Sequence, residues 1–348
     1  MKKIRVGILG ATGMVGQQFV LLLQDHPWFE ITALAASEKS AGKPYGEAVQ
    51  WVQSEPLPAD VANLSVQEAR PDLPCEVVFS GLDASAAESI ERAFADAGYA
   101  VISNARNYRM HPQVPLLVPE VNPEHIHLIH QQQHDDGRRG FIVTNPNCST
   151  TGLVLGVLPI WRQFGIRRML VTTLQAISGA GFPGLPALQI NGNVLPFIRG
   201  EAEKIQSEPL KIFGWLENGS IREAEIHIGA QCNRVPVRNG HLISVSLELR
   251  QKATLEAVRD TLRRFVSPLA EWNLPSAPAQ PVRLVEEPFA PQPARDVMAD
   301  GGMSVTVGQL SACPVLDVRL VILVHNTIRG AAGGAILNAE WLHVNGYL

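Results

Sequence analysis

Cys148 is the side chain with the strongest case for doing chemistry in this sequence. It lies in the segment Asn-Pro-Asn-Cys-Ser-Thr at 145–150, between a predicted strand and a run with helical apolar spacing. A helix N-terminus lowers the pKa of a thiol, and its free N–H groups can bind an oxyanion. We therefore predict a nucleophile that forms an enzyme thioester. The alternative is a buried structural cysteine beside two helix-capping hydroxyls, Ser149 and Thr150.

A thiolate nucleophile needs an acid or base beside it, and histidine is the commonest choice. Of the ten histidines, His241 follows the segment Arg-Val-Pro-Val-Arg-Asn-Gly at 234–240 and precedes a predicted strand. It is one candidate for the base, and the alternative is an exposed turn residue. A polar region holds five others, without the spacing of metal ligands, which we predict to be surface residues: His111, His125, His127, His130 and His134.

A glycine-rich turn lies between the first predicted strand and the first predicted helix. It reads Gly10, Ala11, Thr12, Gly13, Met14, Val15, Gly16, which spaces the glycines as G-x-x-G-x-x-G. Glycines allow a tight turn and close backbone approach to a pyrophosphate, which then binds at the helix N-terminus. The turn predicts a dinucleotide site; the alternative is a glycine turn without a ligand.

The end of the second predicted strand distinguishes the two nicotinamide cofactors. NAD enzymes place an acid there for the ribose 2′-hydroxyl. This chain continues with hydroxyls and lysines, and Ser37, Ser40 and Lys43 favour the 2′-phosphate of NADP. Glu38 argues for NAD if it turns inward, and a solvated loop would also contain such residues.

Composition excludes several classes of protein. The chain has 348 residues, 46% of them hydrophobic, with a formal net charge of −4. A basic surplus that would favour nucleic acid or an anionic membrane is missing, and no apolar run reaches the ~18 residues of a membrane span. The four cysteines lack disulfide or zinc spacing, so we expect reduced thiols, no metal and a cytoplasmic protein. The start, Met-Lys-Lys, does not resemble a signal peptide.

Elements positioning these residues fall into two groups. The first half alternates short buried strands with helices, which predicts an α/β domain with a parallel sheet. Its predicted strands are 4–9, 31–36, 76–80, 100–103, 114–118 and 141–144, and its predicted helices 14–24 and 85–97. The second half favours an α+β domain on a mixed sheet, with strands at 169–177, 221–235, 242–250, 304–310 and 315–324 and a helix at 254–269. A helical tail follows from Ile328.

Taken together, these segments resemble aspartate-semialdehyde dehydrogenases of the archaeal and fungal branch, essentially end to end. The matching segments are 10–16, 37–43, 103–109, 118–122, 145–150, 175–181, 200–205, 234–241 and 326–334. The resemblance implies a Rossmann-type NADP-binding domain at 1–146, a catalytic and oligomerisation domain at 147–326 and an overall fold like that of glyceraldehyde-3-phosphate dehydrogenase. The tail at 327–348 is expected to pack back on the first domain. A homodimer or homotetramer is also implied.

The same resemblance assigns roles to individual residues. Cys148 is the acylated nucleophile and His241 the general acid/base. Arg234 holds the substrate's α-carboxylate and Glu201 its amino group. The remaining implied contacts fall in three sets: Lys204 and Arg109 for phosphate; Asn147 and Gln175 for substrate orientation; Gly10, Thr12, Gly13, Met14, Val15, Ser37, Ser40, Lys43, Ser80, Gly81, Ser178, Gly179 and Asn326 for NADP.

The implied reaction reduces L-4-aspartyl phosphate to L-aspartate 4-semialdehyde with NADPH, in the biosynthesis of lysine, threonine, methionine and isoleucine. Three alternatives stay open at this point, and N-acetyl-glutamyl-phosphate reductase is the more distant of them. A malonyl-CoA reductase on the same scaffold would keep the cysteine and the histidine. A catalytically silent regulatory relative would be expected to have lost one of them.

Overall fold

The β-branched run at the chain start forms the central strand of a parallel sheet. The computed structural model describes residues 2–136 and 139–348, with the backbone alone for 134–136. Six parallel strands form the first sheet, in the order β3-β2-β1-β4-β5-β6, with helices at its connections. The strands are β1 (Ile4–Leu9), β2 (Phe29–Ala36), β3 (Val66–Glu68), β4 (Val77–Ser80), β5 (Ala100–Ser103) and β6 (Phe141–Thr144). The helices are α1 (Met14–Leu23), α2 (Tyr45–Ala48), α3 (Ala59–Ala62), α4 (Ala84–Asp96) and α5 (Leu128–Asp136).

A second six-stranded sheet is mixed, in the order β10-β7-β11-β14-β13-β12. Its strands are β7 (Ile166–Gln175), β10 (His227–Arg234), β11 (His241–Leu249), β12 (Val282–Leu284), β13 (Val305–Ala312) and β14 (Val318–Val324), and β8 (Trp215–Glu217) pairs separately with β9 (Ser220–Arg222). The helices of this half are α6 (Cys148–Phe164), α7 (Ala187–Ile190), α8 (Glu201–Ile212), α9 (Leu255–Arg263), α10 (Pro293–Asp296) and α11 (Gly333–Val344).

One face of the second sheet is covered and the other is open. The apolar side of α6 packs on β11, β13 and β14, α8 packs on β10, and their buried side chains form one core with the sheet. Strand β7 alternates buried and exposed residues, with Met169 and Val171 inside and Leu170 and Leu174 outside. The outward leucines leave an apolar surface on the open face.

The chain's last helix contacts the first sheet rather than the second. Ile336 and Leu337 of α11 belong to the buried core around β1 and α1. The Asn338 amide donates to Asn145 Oδ1 at 2.6 Å, and buried Glu340 Oε1 lies 2.9 Å from His26 Nε2. This return ties the chain's end to the segment just before Cys148. The domain limits at 146/147 and 326/327 stay a prediction.

Several predicted elements are wrong. The run at 114–118 is not a strand, and Leu116 forms an isolated bridge to Thr144 instead. The strand expected over 221–235 is two strands, β9 and β10, in different sheets. The helix expected over 254–269 ends at Arg263. Local apolar patterns therefore did not fix which runs pair in a sheet or where an element ends.

For His125, one of the five histidines predicted at the surface, the prediction is also wrong. His125 is fully buried, with Nε2 3.2 Å from the Gly214 carbonyl and Nδ1 2.8 Å from the Asn122 amide. Two bonded ring nitrogens explain how its polar ring is buried. The other described side chains of this group are exposed, and that of His134 lies outside the described residues.

Candidate active site

Cys148 is the first residue of α6, as the sequence predicts, and it lies where the two sheets meet. Strand β6 ends at Thr144, and the turn through Pro146 brings the chain to the helix. Asn147 caps α6, because its Oδ1 accepts from the N–H groups of Ser149 at 3.0 Å and Thr150 at 3.3 Å. The cap thus uses two of the N–H groups expected to bind an oxyanion, and the N–H of Cys148 itself lies outside it.

His241 begins β11 and faces the thiol. Its Nε2 lies 3.1 Å from Cys148 Sγ, and its ring is fully buried, so the exposed-turn alternative is wrong. Its Nδ1 accepts the backbone N–H of Ala176 at 3.0 Å. Because Nδ1 is an acceptor, the neutral ring carries its proton on Nε2. The ring is therefore set to donate a hydrogen bond toward the sulfur.

The electrostatics of this pair differ from the expectation. Burial and, to a smaller extent, Glu201 raise the pKa of the Cys148 thiol to about 12, against the opposing effect of three cations, Arg109, Arg234 and Lys204. Burial lowers the pKa of His241 to about 3, and nearby Arg234 adds to this. The prediction of a lowered thiol pKa is thus wrong. Burial affects these two pKa values more than the positive end of α6 does, because desolvation disfavours both the Cys148 thiolate and the His241 imidazolium.

Glu201, the first residue of α8, is the polar centre of the site. Its carboxylate accepts from Lys204 Nζ at 2.7 Å, from Asn147 Nδ2 at 2.9 and 3.1 Å, and from Gln175 Nε2 at 3.1 Å. Burial by itself raises its pKa, but the Lys204 charge and these three donors lower it overall. Four of the predicted substrate residues are therefore one hydrogen-bonded cluster around an ionised carboxylate.

Arg234 closes the other side of the site, at the end of β10. Parallel pairing of β10 with β7 sets it opposite Gln175, and its Nη1 donates to the Ala176 carbonyl at 2.8 Å. A Cβ atom on Gly179 would come within 2.8 Å of Nη1 and 3.1 Å of His241 Cε1, so only glycine fits over both side chains. Arg234 is only 5% exposed, which excludes the alternative of a surface ion pair.

Arg109 reaches the site in a buried ion pair that sequence reasoning missed. Its Nη1 donates to Glu208 Oε1 at 2.9 Å, and its Nη2 donates to the Asn104 carbonyl at 2.7 Å. The second oxygen of Glu208 accepts the backbone N–H of Asn147 at 2.7 Å. The signal for Glu208 was its place seven residues after Glu201, two turns along the same helix face.

A cavity of about 330 Å³ opens over the thiol. Its wall includes eleven of the predicted site residues: Met14, Val15, Arg109, Asn147, Cys148, Gln175, Ser178, Gly179, Glu201, Lys204 and Asn326. The side chain of Asn326 is held by two hydrogen bonds: its Oδ1 accepts the Gly240 N–H at 2.9 Å, and its Nδ2 donates to Ser178 Oγ at 2.8 Å. The cavity joins the cysteine to the N-terminus of α1.

The glycine turn at 10–16 fits a dinucleotide. Gly10 has a φ of +73°, and a Cβ atom on Gly16 would lie 2.3 Å from the Gly10 carbonyl oxygen, so the helix packs against the turn only without that side chain. Gly13 caps α1 without a side-chain hydrogen bond, which leaves the helix N–H groups for a phosphate. Gly81, just after Ser80, donates its N–H to the Leu9 carbonyl beside this turn.

The loop after β2 lies apart from the cavity wall. Ser37 and Lys43 are exposed and Ser40 is half-buried, in a turn closed by the Ser40 N–H donating to the Ser37 carbonyl at 2.9 Å. Glu38 is exposed as well. The loop follows the strand next to β1, on the side where the adenosine ribose binds in dinucleotide-binding sheets.

Metal sites and membrane-spanning helices can be searched for within the described ranges, 2–136 and 139–348. These ranges contain no group of three or more histidine, cysteine, aspartate or glutamate residues placed to hold a metal ion. Within the same ranges, none of the helices has the length and apolar character needed to cross a membrane.

Comparison with known proteins assigns the family. Two family models match, the semialdehyde dehydrogenase NAD binding domain over residues 5–129 and the semialdehyde dehydrogenase dimerisation domain over 157–329. The aspartate-semialdehyde dehydrogenase of Archaeoglobus fulgidus is 45% identical over 336 residues, which cover 96% of each chain. The chain belongs to the aspartate-semialdehyde dehydrogenase family.

Fungal members of the aspartate-semialdehyde dehydrogenase family are as similar to this chain as the archaeal protein is. The Candida albicans protein is 46% identical over 355 residues, covering 97% of each chain. The crystal structure of aspartate semialdehyde dehydrogenase with NADP from Candida albicans superimposes with a TM-score of 0.91 over the whole of both chains. That of aspartate semialdehyde dehydrogenase II complexed with ASA from Vibrio cholerae gives 0.79 at 27% identity, also over both whole chains. The predicted two-part α/β fold is confirmed.

The charges around the thiol predict opposite pKa shifts in two variants. Glu201→Gln removes a negative charge that disfavours the thiolate, so the Cys148 pKa should fall. Arg234→Met removes a positive charge that favours it, so the pKa should rise. Alkylation of Cys148 by iodoacetamide as a function of pH, followed by peptide mass spectrometry, measures both.

The measurement should use a Cys313→Ser background, because backbone hydrogen bonds lower the pKa of the half-exposed Cys313 thiol and it would react first. In that background the Cys148 rate should still climb above pH 9. A plateau below pH 7, or shifts of the same sign in both variants, would contradict the electrostatic account.

Proposed function

We propose that this chain is an NADPH-dependent aspartate-semialdehyde dehydrogenase, which converts L-4-aspartyl phosphate to L-aspartate 4-semialdehyde and phosphate. The observation that carries the proposal is the contact of 3.1 Å between Cys148 Sγ and His241 Nε2, beside a buried Arg234 and a buried Glu201. Its family membership gives the activity, and the site gives the residues. The reaction is a step in the biosynthesis of lysine, threonine, methionine and isoleucine.

The site's charges match the ends of an amino-acid substrate. Arg234 offers a planar guanidinium of the geometry that binds a carboxylate with two hydrogen bonds. Glu201 offers an ionised carboxylate for the substrate ammonium group, and Asn147 and Gln175 hold that carboxylate in place. Lys204 and Arg109 lie on the wall of the same cavity, where a leaving phosphate needs cations.

Cys148 carries the covalent chemistry in this proposal. Its sulfur attacks the acyl carbon, the carbon–sulfur bond forms, and the bond to the phosphate oxygen breaks, with the thiol proton passing to the phosphate, which leaves toward Arg109 and Lys204. Bound NADPH supplies the hydride that reduces the resulting thioester. The Nε2–H of His241, the proposed general acid/base, donates a hydrogen bond to the thiohemiacetal oxygen, and this oxyanion re-forms the carbonyl as the carbon–sulfur bond breaks and the Cys148 thiolate leaves.

NADP fits the first sheet's carboxyl edge. The uncapped N-terminus of α1 suits the pyrophosphate, with Gly10, Thr12, Gly13 and the residues at 80–81 around it. Ser37, Ser40 and Lys43 are proposed to hold the 2′-phosphate. Ser178, Gly179 and Asn326 line the cavity that contains Cys148, and we propose that they lie beside the nicotinamide.

We also propose that the protein is a homo-oligomer, a dimer or a tetramer, in the cytoplasm. The open face of the second sheet supports this, since Leu170 is 54% exposed and Leu174 40% exposed on the outward side of β7. Four free cysteines fit a reducing compartment.

Sedimentation of the full chain should give a dimer or tetramer. The double variant Leu170→Glu and Leu174→Glu should weaken this association, and a wild-type monomer would contradict the proposal.

The substrate assay separates this function from a malonyl-CoA reductase. Wild-type protein should oxidise NADPH with 4-aspartyl phosphate, and activity with malonyl-CoA alone would refute the substrate. Cys148→Ala should lower kcat by more than about 10³-fold, as loss of a nucleophile does. Cofactor binding should persist, because the glycine turn is a separate element. Cys313→Ala is the matched control and should keep wild-type kcat.

A further inference from the structure

Helix α8 carries charged side chains along one face for three turns. Glu201, Lys204, Glu208 and Lys211 follow each other at intervals of three or four residues, so they lie on the same side of the helix. Glu201 and Lys204 line the cavity, and the proposed reaction uses both. Glu208 and Lys211 lie deeper, 2% and 4% exposed, and no step of the reaction uses them.

Lys211 points at backbone oxygens rather than at a carboxylate. Its Nζ donates to the carbonyls of Arg109 at 2.8 Å, His111 at 2.7 Å and Val114 at 2.8 Å. An ammonium group has three N–H donors, and each one meets a carbonyl of the same short segment. A buried ammonium group is stable only when its donors are satisfied in this way, so the segment at 109–114 is held at three points.

Glu208 holds the side chain of Arg109, the first residue of this segment. Its carboxylate joins the Arg109 guanidinium at 2.9 Å to the backbone N–H of Asn147 at 2.7 Å, next to the nucleophile. The backbone of Arg109 is thus fixed by Lys211 and its side chain by Glu208, both from α8. Arg109 Nε is buried without a hydrogen-bond partner among the described residues, so the guanidinium depends on these contacts for its position.

We propose that Lys211 is a positioning residue for the phosphate side of the site: it fixes the 109–114 backbone so that the Arg109 guanidinium faces the leaving phosphate. The inference rests on the proposed function, because it takes Arg109 as a phosphate-binding cation. It assigns to Lys211 no contact with substrate.

The protonation of Lys211 gives the inference a pH signature. Burial lowers its pKa to about 8, against the attraction of Glu223. Other titratable groups near Lys211 include His111 of the held segment, His125, whose pKa burial lowers to about 4, and the Glu208–Arg109 ion pair. Below about pH 8 the ammonium group engages all three carbonyls; above it the amine has only two N–H groups, and one carbonyl loses its donor.

The test is kinetic, in the oxidative direction with aspartate semialdehyde, NADP and inorganic phosphate. Lys211→Met keeps the chain length and removes the donors, and it should raise the KM for phosphate about tenfold, as small misplacement of a binding group does. The KM values for semialdehyde and NADP should stay within twofold. Lys252→Met, at a lysine whose side chain is 80% exposed, is the matched control and should change none of them.

A merely structural role would lower the active fraction without moving the KM for phosphate, and an unchanged value in folded Lys211→Met would overturn the proposal. If that variant does not fold, the wild-type profile decides: its KM for phosphate should rise above about pH 8, and Lys211→Arg, charged throughout, should lack this rise. A wild-type KM that is flat from pH 7 to 9 would also overturn it. Wild-type protein inactive with semialdehyde would refute the proposed function instead, and titration with inorganic phosphate would then compare Lys211→Met with wild type directly.

Discussion

The contact between Cys148 Sγ and His241 Nε2 is the constraint on which the rest of the structure depends. The two residues are 93 positions apart and begin different elements, α6 and β11. For the two atoms to approach to 3.1 Å, the chain must pass from β6 of the first sheet into α6, and α6 must pack on the second sheet. It also depends on Ala176, the residue after β7, whose N–H holds the histidine ring and whose carbonyl accepts a hydrogen bond from Arg234.

Around this contact the protein buries an unusual amount of charge. Glu201, Glu208, Arg109 and Arg234 are each less than a tenth exposed. Unpaired charges in such a place would cost several kcal/mol each, and they persist because each is paired or hydrogen-bonded. The result is a set of dipoles and ions already in position, so little reorganisation is needed when an acyl phosphate binds. The same burial raises the pKa of the Cys148 thiol.

Sequence patterns predicted those parts of the fold that depend on local chemistry. The glycine turn, the strands of the first sheet and the helix start at Cys148 each have a short-range signal. The errors at 114–118 and 221–235 have a common cause, since an apolar pattern does not say which strand a run pairs with, or whether it pairs at all. At 114–118 the carbonyl of Val114 bonds to the Lys211 side chain instead of to a sheet.

Within the site, residue types were easier to predict than their electrostatics. Cys148, His241, Arg234 and Glu201 come together as the family resemblance implies, although their roles stay a prediction. The thiol pKa could not be read from the sequence, because it depends on how completely the tertiary structure encloses the sulfur. Glu208 and Lys211 were missed for a related reason: they touch other protein groups, and only the folded chain shows which ones.

Trapping of the acyl-enzyme tests the central claim most directly. Full-length protein incubated with 4-aspartyl phosphate, without NADPH, should release phosphate and gain an aspartyl group on the peptide that contains Cys148. The adduct should be lost on treatment with hydroxylamine, as a thioester is, and Cys148→Ala should not form it. Phosphate release without an adduct, or an adduct on another residue, would contradict the account.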